Sequence, residues 1–179
     1  VEILVQKKNE YFKADKDLFT IEFKWFQFYN ALSETEKTII NELKPTFVNY
    51  AVESNVDTWD NADFLLYKDF ISKVFAQLKA TYPLLPIMLS LMVNESPASY
   101  NYASKLIPYT DYIALSAYPY THVSSSANRN TNPALFPASY FTNFLNLAPN
   151  KPFCFAETAY IAEDLVVPAF NLNKQGNEN

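Results

Sequence analysis

Short, nearly continuous apolar runs alternate with amphipathic helical patterns along the chain. The runs are rich in β-branched and aromatic residues, and they predict strands near residues 47–53, 87–93, 112–118 and 153–157. Because apolar and polar positions do not alternate within them, they are typical of parallel strands covered on both faces. The sequence therefore predicts a parallel α/β arrangement in which the carboxyl ends of the strands share one edge.

Helical patterns fill the intervals between these runs. The clearest apolar stripe follows the i, i+3, i+4, i+7 rule and consists of Phe64, Tyr67, Phe70, Ile71, Val74, Phe75 and Leu78. Further helices are predicted over about 34–44, 98–107 and 137–147 from capping residues, prolines and apolar spacing. One more stripe, over 18–32, predicts a helix that holds Trp25 in the core.

The spacing of the predicted strands indicates the architecture. They begin at 47, 87, 112 and 153, at intervals of 40, 25 and 41 residues. The average of about 35 residues is that of a β/α unit in a (β/α)8 TIM barrel, which divides roughly 250 residues into eight units. A doubly wound open sheet is the alternative, but such sheets usually carry a glycine-rich turn after a strand. Because 179 residues hold only about five units, the predicted fold is an incomplete TIM barrel fragment, one partial domain over residues 1–179.

The termini are consistent with such a fragment. An apolar, strand-like run begins at Val1, and the chain ends in a polar tail over 173–179. An incomplete barrel leaves strand edges unpaired and part of its apolar interior uncovered. We therefore expect the remaining barrel strands, or another chain, to complete the fold.

Charge and the rarest residue types exclude several classes of protein. The net charge of −5 and the pI near 4.9 argue against a nucleic-acid or anionic-membrane surface. One cysteine excludes a cysteine-based zinc site, one histidine excludes multi-histidine metal hydrolases, and one glycine, Gly176, excludes a P-loop or dinucleotide fingerprint. No run reaches the roughly 18 apolar residues of a membrane span. The sequence thus predicts no metal, no cofactor, no nucleic-acid partner and no membrane span.

Polar side chains gather at the predicted carboxyl ends of the strands, where barrel enzymes carry their chemistry. The four ends deliver carboxylates, amides and phenols, namely Glu53, Asn55, Asn94, Glu95, Tyr118, Tyr120, Glu157 and Tyr160. Lys44 and Lys151 precede strands and so belong to the opposite edge. Because a Schiff-base aldolase needs its lysine inside or at the catalytic end of a strand, that class of enzyme is disfavoured.

Glu53 and Glu157 form the most informative pair. Each directly follows or ends an apolar run, and 104 residues separate them. Hydrolysis of a glycosidic bond needs two carboxyl groups, one to protonate the leaving oxygen and one to attack the anomeric carbon or activate water. The alternative for each glutamate is a helix cap or an ion pair with a lysine. Their occurrence together at one edge favours the catalytic interpretation.

Neighbouring aromatic and polar side chains are candidate substrate contacts. Tyr118 is expected to form a sugar platform or to donate a hydrogen bond to the nucleophile carboxylate, with Tyr120 beside it; the alternative is a packed loop. His122 follows in that loop, and Trp59 is expected either to stack on a pyranose ring or to cover the next helix. The remaining candidates at strand ends are Asn94, Glu95 and Tyr160. Cys154 lies within a strand and is predicted to be a small buried hydrophobe.

Three segments carry a family resemblance. They are KPTFVNYAVESN at 44–55, DYIALSAYP at 111–119 and KPFCFAET at 151–158. From about residue 12 to residue 179, the chain resembles part of a clan A glycoside hydrolase barrel, most closely the endo-β-1,4-galactanase group and its uncharacterised relatives. The resemblance implies strands four to seven of the barrel, preceded by a piece of the third unit.

The resemblance also implies roles for the two glutamates. In that clan the acid/base glutamate ends strand four and the nucleophile ends strand seven, positions that Glu53 and Glu157 match, and the mechanism retains anomeric configuration. The clan has an asparagine before the acid/base residue to hold the sugar 2-hydroxyl, whereas here Val52 precedes Glu53 and Asn55 is the candidate replacement. A carbohydrate substrate, polysaccharide degradation and secretion are implied by this resemblance alone.

Two functions therefore stay open. The first is a retaining glycoside hydrolase, which the presence of both glutamates favours. The second is a non-catalytic carbohydrate-binding TIM-barrel protein, which Val52 favours because the position for the 2-hydroxyl ligand has changed. The two hypotheses differ in whether the protein turns over aryl glycosides or only binds sugars.

Overall fold

A computed structural model describes most of the chain after its first 33 residues. The described residues are 34–121, 136–137, 139–170 and 172–176. The chain divides into two units, Val1–Pro45 and Thr46–Asn179. The predicted stripe at 18–32, with Trp25, and the candidate His122 lie outside the described residues.

In the first unit, residues 34–43 form helix α1, which ends before Pro45 as predicted. Lys44 follows in the left-handed region, with a φ of 47°, and its amide donates to the Ile40 carbonyl at 2.9 Å, closing the last turn. Glu36 is buried in this helix, and burial raises the pKa of its carboxyl to about 8. This carboxyl is therefore mainly protonated at neutral pH.

The second unit is built on a parallel sheet of four strands. They are β1 (Val48–Ala51), β2 (Ile87–Met92), β3 (Ile113–Ala117) and β4 (Phe153–Thr158), in the spatial order β1-β2-β3-β4. All three neighbouring pairs are parallel. The predicted α/β class and the pairing of strands in chain order are thus confirmed. Among the described residues β1 and β4 are the edges of this sheet, and the eight-stranded barrel stays a prediction.

Helices connect successive strands, as a parallel sheet requires. They are α2 (Asn61–Thr81), α3 (Pro97–Leu106) and α4 (Ser139–Leu145), with short 3-10 turns at Ile107–Tyr109, Pro119–Thr121 and Pro168–Phe170. After β4 the chain forms an antiparallel hairpin that the sequence does not predict, consisting of β5 (Leu165–Val167) and β6 (Leu172–Lys174). None of the described helices is long and apolar enough to cross a membrane.

Capping residues define where α2 and α3 begin. The Asp60 carboxylate accepts the Asp63 amide proton at 2.8 Å, which satisfies one of the free donors in the first turn of α2. Asp63 in that turn and Lys79 in the last turn have the charges that suit the helix dipole. α3 begins after Ser96, with proline at its first position, where a missing amide proton costs nothing.

The main core lies between the helices and one face of the sheet. Its largest fully buried side chains in the strands and in α2 are Phe64, Ile71, Val74, Leu78, Ile87, Leu89, Leu91, Ile113 and Leu115. The apolar stripe predicted for α2 is therefore the surface that packs, except that Phe75 is only half-buried. Burial of such side chains contributes about 1.5–3 kcal/mol each relative to exposure.

β4 departs from the expectation of strands covered on both faces. Phe153 and Phe155 are 54% and 47% exposed. Cys154 is half-buried rather than buried. Its sulfur lies 3.6 Å from that of Met88 on β2, which is two strands away in the sheet. The apolar composition of β4 correctly predicts a strand. Because β4 lies at the edge of the described sheet, its side chains are less covered.

Charged side chains stabilise the amino edge of the sheet through hydrogen bonds and an ion pair. The Asp111 carboxylate accepts Lys79 Nζ and the Ile87 amide, both at 2.9 Å. Lys151 donates to the carbonyls of Ile107 and Thr110, and burial lowers the pKa of its amine. Lys151 thus lies at the edge opposite the carboxyl strand ends, as predicted.

These contacts make Asp111 a test of how the amino edge is stabilised. Asp111→Ala removes the acceptor of both a lysine and a strand amide, and we expect it to lower the free energy of unfolding by about 1.5–3 kcal/mol. The matched control is Asp69→Ala, which removes an exposed i,i+4 pair with Lys73 and should cost less than about 1 kcal/mol. Urea denaturation measures both, and equal losses would contradict the role assigned to Asp111.

Candidate functional site

Two β-bulges shape the carboxyl edge of the sheet. The register of β1 against β2 shifts between Asn49 and Ala51, and that of β4 against β3 shifts just before Glu157. A bulge inserts one extra residue, bends the strand and redirects the side chains that follow. In β4 the shift pairs Glu157 with Ser116 of β3, whereas an uninterrupted register would pair Glu157 with the next residue of β3. Both strands that carry a candidate catalytic glutamate are therefore irregular close to it.

Glu53 follows β1 in a backbone conformation that is unusual for its residue type. Its φ of 48° lies in the left-handed region, which costs a residue other than glycine of order 1–3 kcal/mol. The Glu53 amide donates to the Ser90 hydroxyl at 2.9 Å, and the next amide, of Ser54, donates to the Ser90 carbonyl at 3.0 Å. Contacts with β2 thus hold the strained turn that presents the Glu53 side chain.

The end of β3 supplies hydrogen-bond donors to both candidate carboxylates. Ser116 Oγ donates to Glu53 Oε1 at 2.5 Å, and the Tyr118 hydroxyl donates to Glu157 Oε2 at 2.7 Å. The structure therefore contains the hydrogen bond from Tyr118 that the sequence predicts. Glu53 and Glu157 lie at the same edge of the sheet, on opposite sides of β3 in the strand order.

Both candidate carboxyl groups contribute to the raised pKa of the Tyr118 phenol. Its hydrogen bond to Glu157 is the main cause that raises its pKa to about 12, followed by burial and by the negative charges of Glu157 and Glu53. Deprotonation would place a negative charge on the oxygen that donates to Glu157, so the phenol stays a donor throughout the neutral range. This electrostatic coupling brings the two glutamates and Tyr118 into one cluster.

Aromatic side chains flank the cluster unevenly. The ring of Tyr120 meets that of Tyr118 edge to face, with centroids 6.0 Å apart, and the Tyr120 side chain is half-buried. Trp59 instead stacks on Tyr67 of α2 at 4.8 Å, and its indole nitrogen donates to the Ser54 carbonyl at 3.3 Å. For Trp59 the structure shows the second of its two predicted placements, as a cover over the following helix.

Asn55 serves the fold rather than the carboxylate cluster. It is fully buried, and its amide nitrogen donates to the Met92 carbonyl at 3.0 Å and to the Ser99 hydroxyl at 2.7 Å. Its amide oxygen accepts the Met92 backbone proton at 2.7 Å. Asn55 thereby joins the end of β2 to α3. The geometry gives no support to the prediction that Asn55 replaces the clan asparagine, because its donors and acceptor are engaged within the protein.

The other predicted contacts lie along the same edge. The Asn94 amide oxygen accepts the Ser96 backbone proton at 3.0 Å and so shapes the turn before α3. Glu95 and Tyr160 are both exposed, Tyr160 by 44%. Burial raises the pKa of the Tyr140 hydroxyl to about 12, with smaller contributions from Tyr160 and Glu95, so these two groups lie within electrostatic range of α4. Glu95 and Tyr160 are therefore the predicted contacts most open to a ligand.

Two serines belong to the site although the sequence predictions did not include them. Ser90 and Ser116 are both fully buried, and each is the one polar residue of an otherwise apolar strand. A single hydroxyl inside a continuous apolar run needs a hydrogen-bond partner, since an unpaired buried polar group is costly. This signal is present in the sequence, and it points to Ser90 and Ser116 as residues with a specific contact.

The donor set of the cluster consists of carboxylates and hydroxyls. Within the described ranges, no group of three or more histidine, cysteine, aspartate or glutamate side chains is arranged to hold a metal ion. Two carboxylates with separate hydroxyl donors can instead exchange protons and bind a polyhydroxylated ligand. The chemistry open to these residues is therefore acid/base and nucleophilic catalysis, or the binding of hydroxyl groups.

Comparisons with known proteins add no family assignment. No model of a known protein family matches the chain, and no curated protein sequence matches it significantly. The functional argument therefore rests on the geometry described above and on the resemblance of the three sequence segments.

The coupling between Tyr118 and Glu157 can be measured directly. In the Glu157→Ala variant we expect the Tyr118 pKa to fall from about 12 toward its ordinary value of 10.0, because the carboxylate that accepts its proton is gone. The measurement is the pH titration of 13C-labelled tyrosine ring signals, with Tyr118 assigned from Tyr118→Phe. Tyr67 is the matched control, because burial rather than Glu157 raises its pKa to about 12. A Tyr118 titration that is the same in both proteins would show that the hydrogen bond is absent.

Proposed function

We propose that the chain is part of a retaining glycoside hydrolase, with Glu53 as the acid/base residue and Glu157 as the nucleophile. The observation that carries this proposal is the pair of carboxylates at the carboxyl edge of a parallel sheet, each held by a hydroxyl donor from β3. Glycosidases need two carboxyl groups with different tasks on the two sides of one bond. Separate donors give these two glutamates different environments.

We propose further that the parallel sheet is half of a (β/α)8 barrel. Four strands in chain order with helical crossovers support this architecture, and so does the burial of β2 and β3 against helices. In such a barrel β1 to β4 are strands four to seven. The remaining strands, supplied by more of the same protein or by another chain, then pair with the edges β1 and β4.

The first chemical step forms a glycosyl-enzyme. The free oxygen of the Glu157 carboxylate attacks the anomeric carbon while the bond to the leaving oxygen breaks. The Glu53 carboxyl gives its proton to that oxygen, so the sugar leaves as a neutral alcohol. Tyr118 supports the step because its hydroxyl stays protonated, with its pKa raised to about 12, and fixes Oε2 of Glu157 while the other oxygen attacks.

The second step returns the enzyme to its starting state. Once Glu157 is esterified it carries no negative charge, and Glu53, which gave up its proton in the first step, is a carboxylate that can act as a base. Glu53 takes a proton from a water molecule, and the oxygen of that water attacks the anomeric carbon as the bond to Glu157 breaks. Glu157 leaves as a carboxylate, and Glu53 is again protonated for the next cycle.

The substrate class follows from the surroundings of the carboxylates. Tyr120 offers a half-buried aromatic ring and Tyr160 an exposed one, and the Glu95 side chain is exposed at the same edge. Aromatic rings with a polar tip suit the alternating apolar faces and hydroxyl edges of pyranoses. A poly- or oligosaccharide is therefore the proposed ligand, and breakdown of a polysaccharide outside the cell is the setting that the clan resemblance implies.

A non-catalytic carbohydrate-binding protein is the second candidate, and one observation favours it. The clan asparagine that binds the 2-hydroxyl has no counterpart in Val52, and the buried Asn55 amide is engaged with Met92 and Ser99. Hydrogen bonds to the 2-hydroxyl that strengthen in the transition state contribute several kcal/mol to glycosidases. Loss of that contact would impair turnover more than binding.

Turnover of aryl glycosides distinguishes the two functions. For the hydrolase we expect Glu157→Gln to lower kcat at least about 1,000-fold, because an amide is no nucleophile. Glu53→Ala should lower kcat/KM about 100- to 10,000-fold for poor leaving groups but spare dinitrophenyl glycosides, which need no protonation. Glu163→Gln, at an exposed glutamate beyond β4, is the control and should keep wild-type activity. Sugar binding without any turnover in the complete protein would instead support the binding protein.

Anomeric configuration tests the proposed mechanism independently of rate. Retaining enzymes hold their two carboxyl groups about 5–5.5 Å apart, so that one can attack the sugar directly, whereas inverting enzymes separate them by about 6.5–9.5 Å. We expect proton NMR of the first-formed product to detect the same anomer as in the substrate. An inverted product would show that Glu157 activates water instead of attacking.

A further inference from the structure

Ser116 makes a contact for which packing alone gives no reason. It is fully buried near the end of β3, and its Oγ lies 2.5 Å from Oε1 of Glu53, a residue 63 positions earlier in the chain. A hydroxyl-to-carboxyl hydrogen bond of this length is at the short limit for O–H···O contacts. The partner is a candidate catalytic group and not a structural acceptor of the core.

The strand register gives Ser116 a second relation to the site. Ser116 is paired with Glu157 across the β3–β4 ladder. Paired residues of parallel strands have neighbouring side chains on the same face of the sheet. Ser116 therefore touches one candidate carboxylate and stands directly beside the other, which fixes Glu53 relative to Glu157 through a single rigid strand.

We propose that Ser116 is a positioning residue for Glu53. This inference rests on the proposed glycosidase function and deepens it, because it states which residue orients the acid/base carboxyl for proton transfer. By binding Oε1, Ser116 leaves Oε2 of Glu53 as the oxygen that carries the proton for the leaving group. Ser116 itself does not touch the reacting atoms.

The position of Glu53 explains why such a contact is needed. Glu53 lies beyond the last residue of β1, in a left-handed turn, where strand pairing does not constrain its side chain. Ser90 binds its backbone amide, but a glutamate side chain still rotates about three bonds. A contact at the carboxyl end limits that rotation, and Ser116 of β3 provides one.

The test compares substrates that differ in their need for an acid. We expect Ser116→Ala to lower kcat/KM about 10- to 100-fold for unactivated oligosaccharides, since a misaimed acid loses part of its effect. For dinitrophenyl glycosides, whose leaving group needs no proton, the change should stay within about threefold. Ser116→Thr, which keeps the hydroxyl, should recover part of the loss.

Thr110→Val is the matched control. Thr110 is also a fully buried hydroxyl, and it accepts the Leu89 amide proton at 3.2 Å, but it lies before β3 at the amino edge of the sheet. Its removal should reduce thermal stability without any preference between the two substrates. If Ser116→Ala lowers kcat/KM equally for both substrates, or for neither, Ser116 is only structural and the proposal is wrong.

A second measurement decides the matter without turnover. In protein labelled with 13C at glutamate carboxyls, with Glu53 assigned from Glu53→Gln, we expect the Glu53 signal to move in Ser116→Ala and to stay in Thr110→Val. A stationary Glu53 signal in Ser116→Ala overturns the positioning role even if the protein is an active glycosidase. A moved signal in a protein that turns over no glycoside keeps the positioning contact and rejects the proposed function.

Discussion

Parallel pairing of β3 with both β2 and β4 is the constraint on which the site depends. β3 is buried at every residue, and it is the strand with neighbours on both sides that supplies donors to the two glutamates. Because parallel strands end at one edge, residues far apart in sequence meet there although β1 and β4 do not pair with each other in this sheet. The sheet therefore places Glu157 at the end of β4, and the turn after β1 places Glu53 at the same edge.

This arrangement is accompanied by an irregular backbone close to Glu53 and Glu157. A regular β1 and β4 would direct their last side chains by strict alternation, whereas the two bulges and the positive φ of Glu53 redirect them. Strained residues of this kind persist only where surrounding contacts fix them. Here Ser90 and Asn55 fix the turn after β1 from two sides, through the Glu53 amide and the end of β2.

The sequence predicted what depends on local pattern. The four strands are continuous apolar runs and the helices α2 and α3 have strong periodicity, and the observed bounds differ from prediction by only a few residues. The hairpin of β5 and β6 was missed because three-residue strands carry almost no pattern. The role of Asn55 was missed for a different reason: its partners Met92 and Ser99 are about 40 residues away, and nothing local indicates them.

The difference between the two donors bears on which glutamate does what. A phenol is a much stronger acid than a serine hydroxyl, so Tyr118 and Ser116 give the two carboxyl groups chemically different hydrogen bonds. Tyr118 keeps its proton, because its pKa is raised to about 12, and so holds Oε2 of Glu157 throughout the neutral range. Glu53 accepts a hydrogen bond from the weaker acid Ser116. The Ser116 hydroxyl can also donate to the carbonyl oxygen of a protonated Glu53 carboxyl. The proposed assignment of acid/base and nucleophile rests on the resemblance, and two chemically different donors are compatible with it.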